Sequence, residues 1–426
     1  MRVVSEEINI KNLSFGSLEN KLNSNVYSRP IRFVVTESTD NGYNCEIDYI
    51  YFNDLSECSF LGNKNSIFHF HGRGREKTNK FNAVLLIPTG IGAELGGHCG
   101  DGNALARLIG SSCDTLITHP NVVNAADMNE MTDNTLYVEG HTITRLLMGQ
   151  IGLEKVRSNR MLLLHDKHEK ELFNNEVVNI ASSARVVLGI DCDVCTMEDI
   201  VDATSLYSKS GRCVGKIEQM EKLMGVIEKY INEYDAIALS TFVKVPEDLH
   251  KKYFIEDSDT VNPWGGIEAM ITHSVSAIYD IPCAHAPMMT SSEVMNMDIG
   301  VVDPRKAPES SSVTYLYCVL KGLYKSPKIT AYEKGLNAED ISCLIVPDGC
   351  IGLPVLACLK QKIPVIAVKN KNLMKNDLSK LPWNKNQLYI VDNYLEAIGV
   401  MNVIREGISL DSVTSPIEKT NRFTAS

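Results

Sequence analysis

The stretch Ala83 to Asn124, AVLLIPTGIGAELGGHCGDGNALARLIGSSCDTLITHPNVVN, limits the possible folds more than any other part of the chain. Val84 to Ile87 is a continuous apolar run followed by turn residues, the pattern of a strand covered on both faces. Gly90, Gly92, Gly96, Gly97, Gly100 and Gly102 follow closely. Glycine at this density permits positive φ and lets backbone N–H groups approach a ligand. Asp101 is placed to cap a helix carrying Leu105, Leu108 and Ile109. A second strand, Thr115 to Thr118, then ends in His119-Pro120-Asn121, with Asn124 just beyond. In open α/β sheets ligands bind outside the carboxyl ends of the strands, where both polar ends fall. Two readings follow. The loop binds an anion or substrate through Thr89, Gly90, Gly92, Gly96, Gly97 and Asp101, with His119, Asn121 and Asn124 positioning it; or it is a tight structural turn. The spacing matches neither GxxxxGK[ST] nor GxGxxG, so neither ATP nor NAD is implied.

The rest of the chain repeats this grammar. Glu139 and His141 open an apolar-periodic helix, where Glu139 serves either as a substrate contact or as a partner for the helix dipole. Met161 to Leu164 is a strand, Glu171 to Leu188 a helix, Lys216 to Asn232 an amphipathic helix and Asp235 to Ser240 a strand. The polar loop Ser208 to Arg212 either cradles a phosphate or is simply exposed. Within Asn262 to Pro287, Glu268 and His273 are five residues apart, a spacing that keeps them off one helical face. The following strand ends in Pro282-Cys283-Ala284-His285-Ala286-Pro287, with Cys283 and His285 on one side. A thiol beside an imidazole acts as nucleophile or base; the alternative is a buried cysteine and a hydrogen-bonded core histidine. Residues 288–312 are polar and aperiodic, suiting a lid, with Ser311 or Ser312 capping the next helix. The last βαβ unit runs from Ser342 to Val346 and from Val365 to Val368, with Asp348 and Cys350 in its first loop; Leu388 to Val391 and a helix from Tyr394 close it.

Residues 1–80 differ. Arg32 to Val35 and Cys45 to Phe52 alternate as strands do, with Asp40-Asn41-Gly42 as a hairpin signal. Ser66 to His71 reads as a further strand with His69 and His71 on one face, open to metal ligation or to a solvated face. Residues 72–80, GRGREKTNK, read as a linker. The predicted fold is therefore α/β: a mostly parallel sheet of Rossmann-like βα units in two lobes, 81–260 and 261–410. A small β-rich or α+β appendage precedes it over 1–80, and a flexible tail follows over 411–426.

A net charge of −11 without a long basic run argues against nucleic acid and anionic membrane as partners. No apolar run approaches the roughly 20 residues of a membrane span. The N-terminal MRVVSEEINI lacks a signal-peptide core, so a cytoplasmic protein is expected. The 12 cysteines are scattered, and Cys192–Cys195 is a CxxC without the second pair a zinc ribbon needs.

The motifs IPTGIGAELGG-x-x-GD, ITHPNVVN, LYVEG and PCAHAP, in this order, resemble the DUF3326 family of bacterial, cyanobacterial and plastid proteins over Phe81 to Leu410. That resemblance implies no settled activity. The segment LIVPDGCIGLPVLACLKQKIPVIAV, within residues 342–368, looks like the second cysteine unit of the aspartate/glutamate and hydantoin racemases. The resemblance implies two cysteines on opposite faces of a substrate α-carbon.

The functional expectation is an enzyme of small-molecule metabolism acting on a carboxylate- or phosphate-bearing metabolite by acid–base or thiol chemistry. Cys283, His285, Cys350, His119 and Asp348 are its candidate catalytic residues. Its most concrete form is a cofactor-independent racemase, isomerase or lyase, working as a homo-oligomer. The alternatives are a non-catalytic ligand-binding or regulatory protein, and a metalloenzyme holding a divalent metal on His119, His273 and His285 with a carboxylate.

Overall fold

The computed structural model describes residues 1–62, 64–98, 100–124, 129–198, 201–256, 259–290, 299–310, 315–417 and 419–424. A six-stranded parallel sheet has the spatial order Leu388–Val391, Val365–Val368, Ile341–Pro347, Asn82–Leu85, Thr115–Thr118, Thr135–Tyr137. The chain enters at Asn82–Leu85, builds outward to Thr135–Tyr137, then returns at Ile341–Pro347 and builds toward the other edge. Strand order thus reverses between Asn82–Leu85 and Ile341–Pro347, the kind of junction where adjacent loops part and leave a crevice.

The intervening chain makes a four-stranded parallel sheet, Cys283–Met288, Ala236–Phe242, Met161–Asp166, Cys192–Met197. A boundary at residue 260 would separate two of its paired strands. The two lobes are therefore nested in the chain rather than consecutive. Apolar side chains such as Leu162, Leu164, Ile237 and Leu239 are buried on one face of this sheet. There they meet Ile267, Ile271 and Val275 of the helix Gly265–Ile278.

The third sheet is antiparallel: Asp202–Tyr207, Cys213–Glu218, Arg2–Ile10, Gly42–Tyr51, Ser28–Thr39, Ile351–Gly352. The expected hairpin at Asp40–Gly42 is present, but residues 1–80 are not an appendage. Their three strands pair with strands from residues 202–218 and 351–352, because two of the chain's later βα regions each supply a strand to complete them. The architecture is mixed α/β, and only part of it is a parallel, Rossmann-like arrangement.

Several local expectations change for identifiable reasons. Lys216 to Glu218 belong to a strand rather than a helix, and Gln219, at φ 62, breaks the chain before the helix Met220–Tyr230. Residues 66–71 form turns and coil, with His69 and His71 exposed. Phe68 is instead buried edge-on against Phe33, with ring centroids 6.2 Å apart. Arg73 anchors the supposed linker through donation to the carbonyls of Gln361 and Ile341 at 3.0 and 2.8 Å. Part of the lid, residues 291–298 and 311–312, and with it the Ser311 or Ser312 cap, lies outside the described residues; the helix after it is Leu316–Tyr324.

Candidate functional site

A cavity of about 210 Å³ lies where the three sheets meet. The strand-order reversal of the six-stranded sheet supplies Thr89 on one side and Cys350 on the other; His119, Asn121, Asn124 and Glu139 come from the next two strand ends. The edge of the four-stranded sheet brings His285, and the antiparallel sheet brings Arg32 and Arg212. The helix Gly265–Ile278 covers it with Gly265, Glu268, Ala269, Thr272 and His273. These positions are i, i+3, i+4, i+7 and i+8, a single helical stripe. Glu268 and His273 therefore do share the cavity face, since a stripe is wider than one row of side chains.

Two glutamate–histidine pairs define its acid–base character. Glu139 Oε1 lies 3.0 Å from His273 Nε2. The same carboxylate caps the helix Gly140–Leu147, accepting from the N–H groups of His141 and Thr142 at 3.0 and 3.1 Å. Burial alone would raise the pKa of Glu139, but the charge and hydrogen bond of His273, with His141 behind them, hold it down at about 2. His273 lines the cavity, and its Nδ1 is buried without a hydrogen-bond partner among the described residues. An imidazole fixed by a carboxylate on one nitrogen and bare on the other has the arrangement of a general acid or base.

The second pair is saturated. His285 Nδ1 lies 3.0 Å from Glu268 Oε2, and its Nε2 lies 2.9 Å from the Thr241 hydroxyl. Both ring nitrogens are occupied, so His285 orients Glu268. His119 accepts from the Ile87 N–H on Nε2 at 3.2 Å, leaving the proton on Nδ1. Burial drives the His119 pKa down to about 4, so the ring is neutral near pH 7 and serves as a donor.

The cationic part of the wall comes from the antiparallel sheet. Arg32 Nε lies 2.6 Å from Asp48 Oδ2, and Arg212 Nη2 lies 3.7 Å from Asp48 Oδ1. Arg212 Nε is 2.6 Å from Glu46 Oε2. Burial would raise the Asp48 pKa, but the two guanidiniums outweigh it and keep the carboxyl ionised. Asp48 and Glu46 stand behind the arginines, which alone of the four line the cavity. Among the described residues Arg32 Nη2 is buried without a hydrogen-bond acceptor, and Arg212 Nη2 has only the longer contact to Asp48. The loop Ser208–Arg212 is thus a hairpin turn whose arginine points inward, 1% exposed, and it is not a phosphate cradle of its own.

The glycine loop plays a different part. Several of its N–H groups are consumed by the fold: Gly96 and His98 donate to Asp101 at 2.9 and 3.1 Å, Gly100 to the Asn121 carbonyl at 3.0 Å, and Leu95 to Asn370 at 3.1 Å. Gly90, at φ 73, accepts from the Cys213 N–H, and a Cβ there would meet the Cys213 carbonyl at 2.8 Å. Gly97 is equally confined, a Cβ meeting the Ala93 carbonyl at 2.3 Å. Gly90, Gly92, Gly96, Gly97 and Asp101 do not line the cavity; Thr89 does. Asp101 caps no helix and instead fills the anion position within the loop, with burial raising its pKa to about 6. Asn121 and Asn124 reach the wall, but their amides hold Ile87, Gly96 and Tyr137.

The two-cysteine arrangement is not formed around the cavity. Cys283 is buried in the apolar layer beneath the helix Gly265–Ile278 and does not line the cavity, and burial pushes its thiol well up. Cys350 does line it, but burial pushes that thiol up as well, leaving it protonated and weakly nucleophilic at neutral pH. Asp348 lies outside the cavity, its carboxylate accepting from the Gly349 N–H at 2.9 Å. Among the described residues no three His, Cys, Asp or Glu side chains form a metal-binding group, so His119, His273 and His285 are not brought together as ligands.

The residues that sequence reasoning passed over are Arg32, Glu46 and Asp48, while Glu268, His273 and Arg212 were noticed but given no shared site. A signal for the first group was present. Glu46 and Asp48 alternate with Cys45 and Ile47 in a strand, and acids on a buried strand face demand cationic partners.

A curated relative, described as an uncharacterized lipoprotein of Synechococcus sp., is 30% identical over 335 residues, covering 76% of this chain and 91% of the relative. That designation corrects the cytoplasmic expectation. Composition and apolar run length report on spanning segments, whereas a lipoprotein is attached through a covalent lipid that neither measures. The racemase likeness of residues 342–368 finds no counterpart among these relationships. No solved structure matches the chain. A family model described as "Protein of unknown function (DUF3326)" matches residues 82–414, and the chain belongs to that family.

Proposed function

We propose that the protein is an enzyme of small-molecule metabolism that moves a proton on an anionic metabolite, most concretely as a cofactor-independent isomerase, racemase or lyase. One observation carries this reading: His273, held by the Glu139 carboxylate and with no partner on its Nδ1 among the described residues, lines the same cavity as Arg32 and Arg212. The arginines hold the anionic group and His273 exchanges the proton. Neutral His119 and the Thr89 hydroxyl, which has no hydrogen-bond partner among the described residues, donate to charge that develops on the substrate. Acid–base chemistry is favoured over thiolate chemistry because burial keeps Cys350 protonated.

The test is incubation of the full chain in D2O with a panel of small carboxylic acids and phosphate esters, followed by proton NMR. Deuterium entering a substrate carbon, and absent with His273→Ala, supports the reading. Ligands that bind with neither exchange nor conversion sink it. The lipoprotein designation of the Synechococcus relative favours a second reading, a membrane-tethered protein that captures the same ligand unchanged, and that outcome would establish it. The helix Glu171–Leu188 exposes Val186 and Val187 at 85% and 72%, which supports a homo-oligomer, checked by light scattering.

A further inference from the structure

We propose that the ligand is a monoanionic carboxylic acid with a compact apolar body, and not a phosphate ester or a sugar acid. This rests on the cavity being the functional site, and it assigns the chemical class of what enters. The two guanidiniums face opposite oxygens of one carboxylate, Asp48, at 2.6 and 3.7 Å, so they are held side by side. Both arginines belong to the cavity wall. The two oxygens of a ligand carboxylate suit a pair of adjacent guanidiniums, and charge-assisted pairs of this kind are the strong ones.

Charge selects against a dianion. Glu46 and Asp48 already balance Arg32 and Arg212, and Glu139 and Glu268 add negative charge to the wall. Among the described lining residues the remaining cationic candidates are histidines, with no lysine. Several loop N–H groups of the kind that cradle phosphates in other α/β proteins are here turned onto Asp101 and neighbouring carbonyls. A phosphate dianion would bring a second charge to arginines that carboxylates already balance.

The body of the ligand is set by what adjoins the arginines. Arg32 is followed on its strand by Phe33 and Val34, and the strand Ile351–Gly352 pairs with Val34 and Val35. Phe33, Val34, Cys350, Ile351, Leu353 and Met374 make this side of the cavity apolar. An apolar cavity of roughly 150 Å³ accepts benzene. The 210 Å³ here suits a body of that size with one carboxylate attached. Hydroxyl-rich ligands would leave their groups unpaired against this wall.

Titration calorimetry of the full chain with benzoate, isovalerate, benzamide and inorganic phosphate tests this. The expected result is binding of benzoate or isovalerate, with benzamide and phosphate weaker by at least about tenfold. Arg212→Lys, which keeps the charge but loses the planar donor pair, weakens acid binding by a similar factor. Met374→Trp, which fills the apolar side without touching the charged cluster, abolishes it while circular dichroism and Tm report an intact fold. Phosphate binding as tightly as the acids, equal acid binding by a folded Arg212→Lys, or binding of none of the probes would each overturn the proposal. Acids that bind without deuterium exchange leave this ligand class standing and overturn only the enzymatic reading; exchange on phosphate esters without acid binding does the reverse.

Discussion

The glycine loop at residues 89–102 and the Arg32–Asp48–Arg212 cluster both place hydrogen-bond donors near one cavity, and they differ in what those donors have left. The loop looks like a ligand cradle in one dimension, yet Gly96, His98 and Gly100 direct their N–H groups at Asp101 and Asn121. The cluster looks like scattered strand charges, yet it holds two guanidiniums together at the cavity wall. Donor density alone does not make a site. What counts is the number of donors left after the fold has met its own needs.

The sharpest way to separate the two regions is to remove chemistry from the cavity itself. His273→Ala is expected to reduce deuterium exchange by roughly 10²–10⁴-fold, as loss of a general base does, with the urea midpoint changed far less. Loss of stability without loss of exchange would place His273 among the structural residues. Breaking the cluster comes next. Arg212→Met strands Glu46 at 2% exposure, leaves Asp48 with Arg32 alone, and should cost about 3–5 kcal/mol in urea unfolding. Adding Glu46→Leu should recover much of that, because the uncompensated charge goes with it.

The Glu139 pair predicts a pH signature. Its folded pKa, about 2 against an ordinary 4.5, means the native state binds the proton less readily than the unfolded chain. The carboxylate therefore adds stability above about pH 4.5, and that contribution fades as pH falls toward about 2. Glu139→Gln should unfold earlier in urea than wild type at pH 7, with the gap closing in acid; a gap independent of pH would reject the ion pair as its cause. The smallest expected effects test the glycine loop as packing. Gly90→Ala, at φ 73 with the Cys213 carbonyl 2.8 Å from the new Cβ, should cost more than about 1–2 kcal/mol. Gly189→Ala, at φ 71 with open space around it, should cost about 1 kcal/mol or less. Equal Tm shifts for the two would mean that the loop's close packing adds nothing.

Much of the parallel framework was legible in the sequence. Thr115–Thr118, Val365–Val368, Leu388–Val391 and the helix Glu171–Leu188 lie where the apolar periodicity puts them. His119, Asn121, Asn124, Glu139 and His285 also reach the cavity, because strand ends in a parallel sheet gather at one edge. The antiparallel sheet was less legible: its hairpin announced itself, but its partners lie more than 150 residues away along the chain. Lys216 to Glu218, the end of the strand Cys213–Glu218, passed for the start of a helix because pairing, and not periodicity, holds them extended.

The sequence by itself determined the elements, since periodicity and turn chemistry act over a few residues and need no distant partner. It also determined which residues carry charge or a titratable ring. Only the tertiary structure decided which of them remain unsatisfied. Arg32, Asp48 and Arg212 become one unit through strand pairing, Cys283 is sealed beneath a helix, and Asp101 is claimed by its own loop. Reactivity and binding depend on solvation and on unspent hydrogen bonds, and both are properties of the packed interior where long-range neighbours meet.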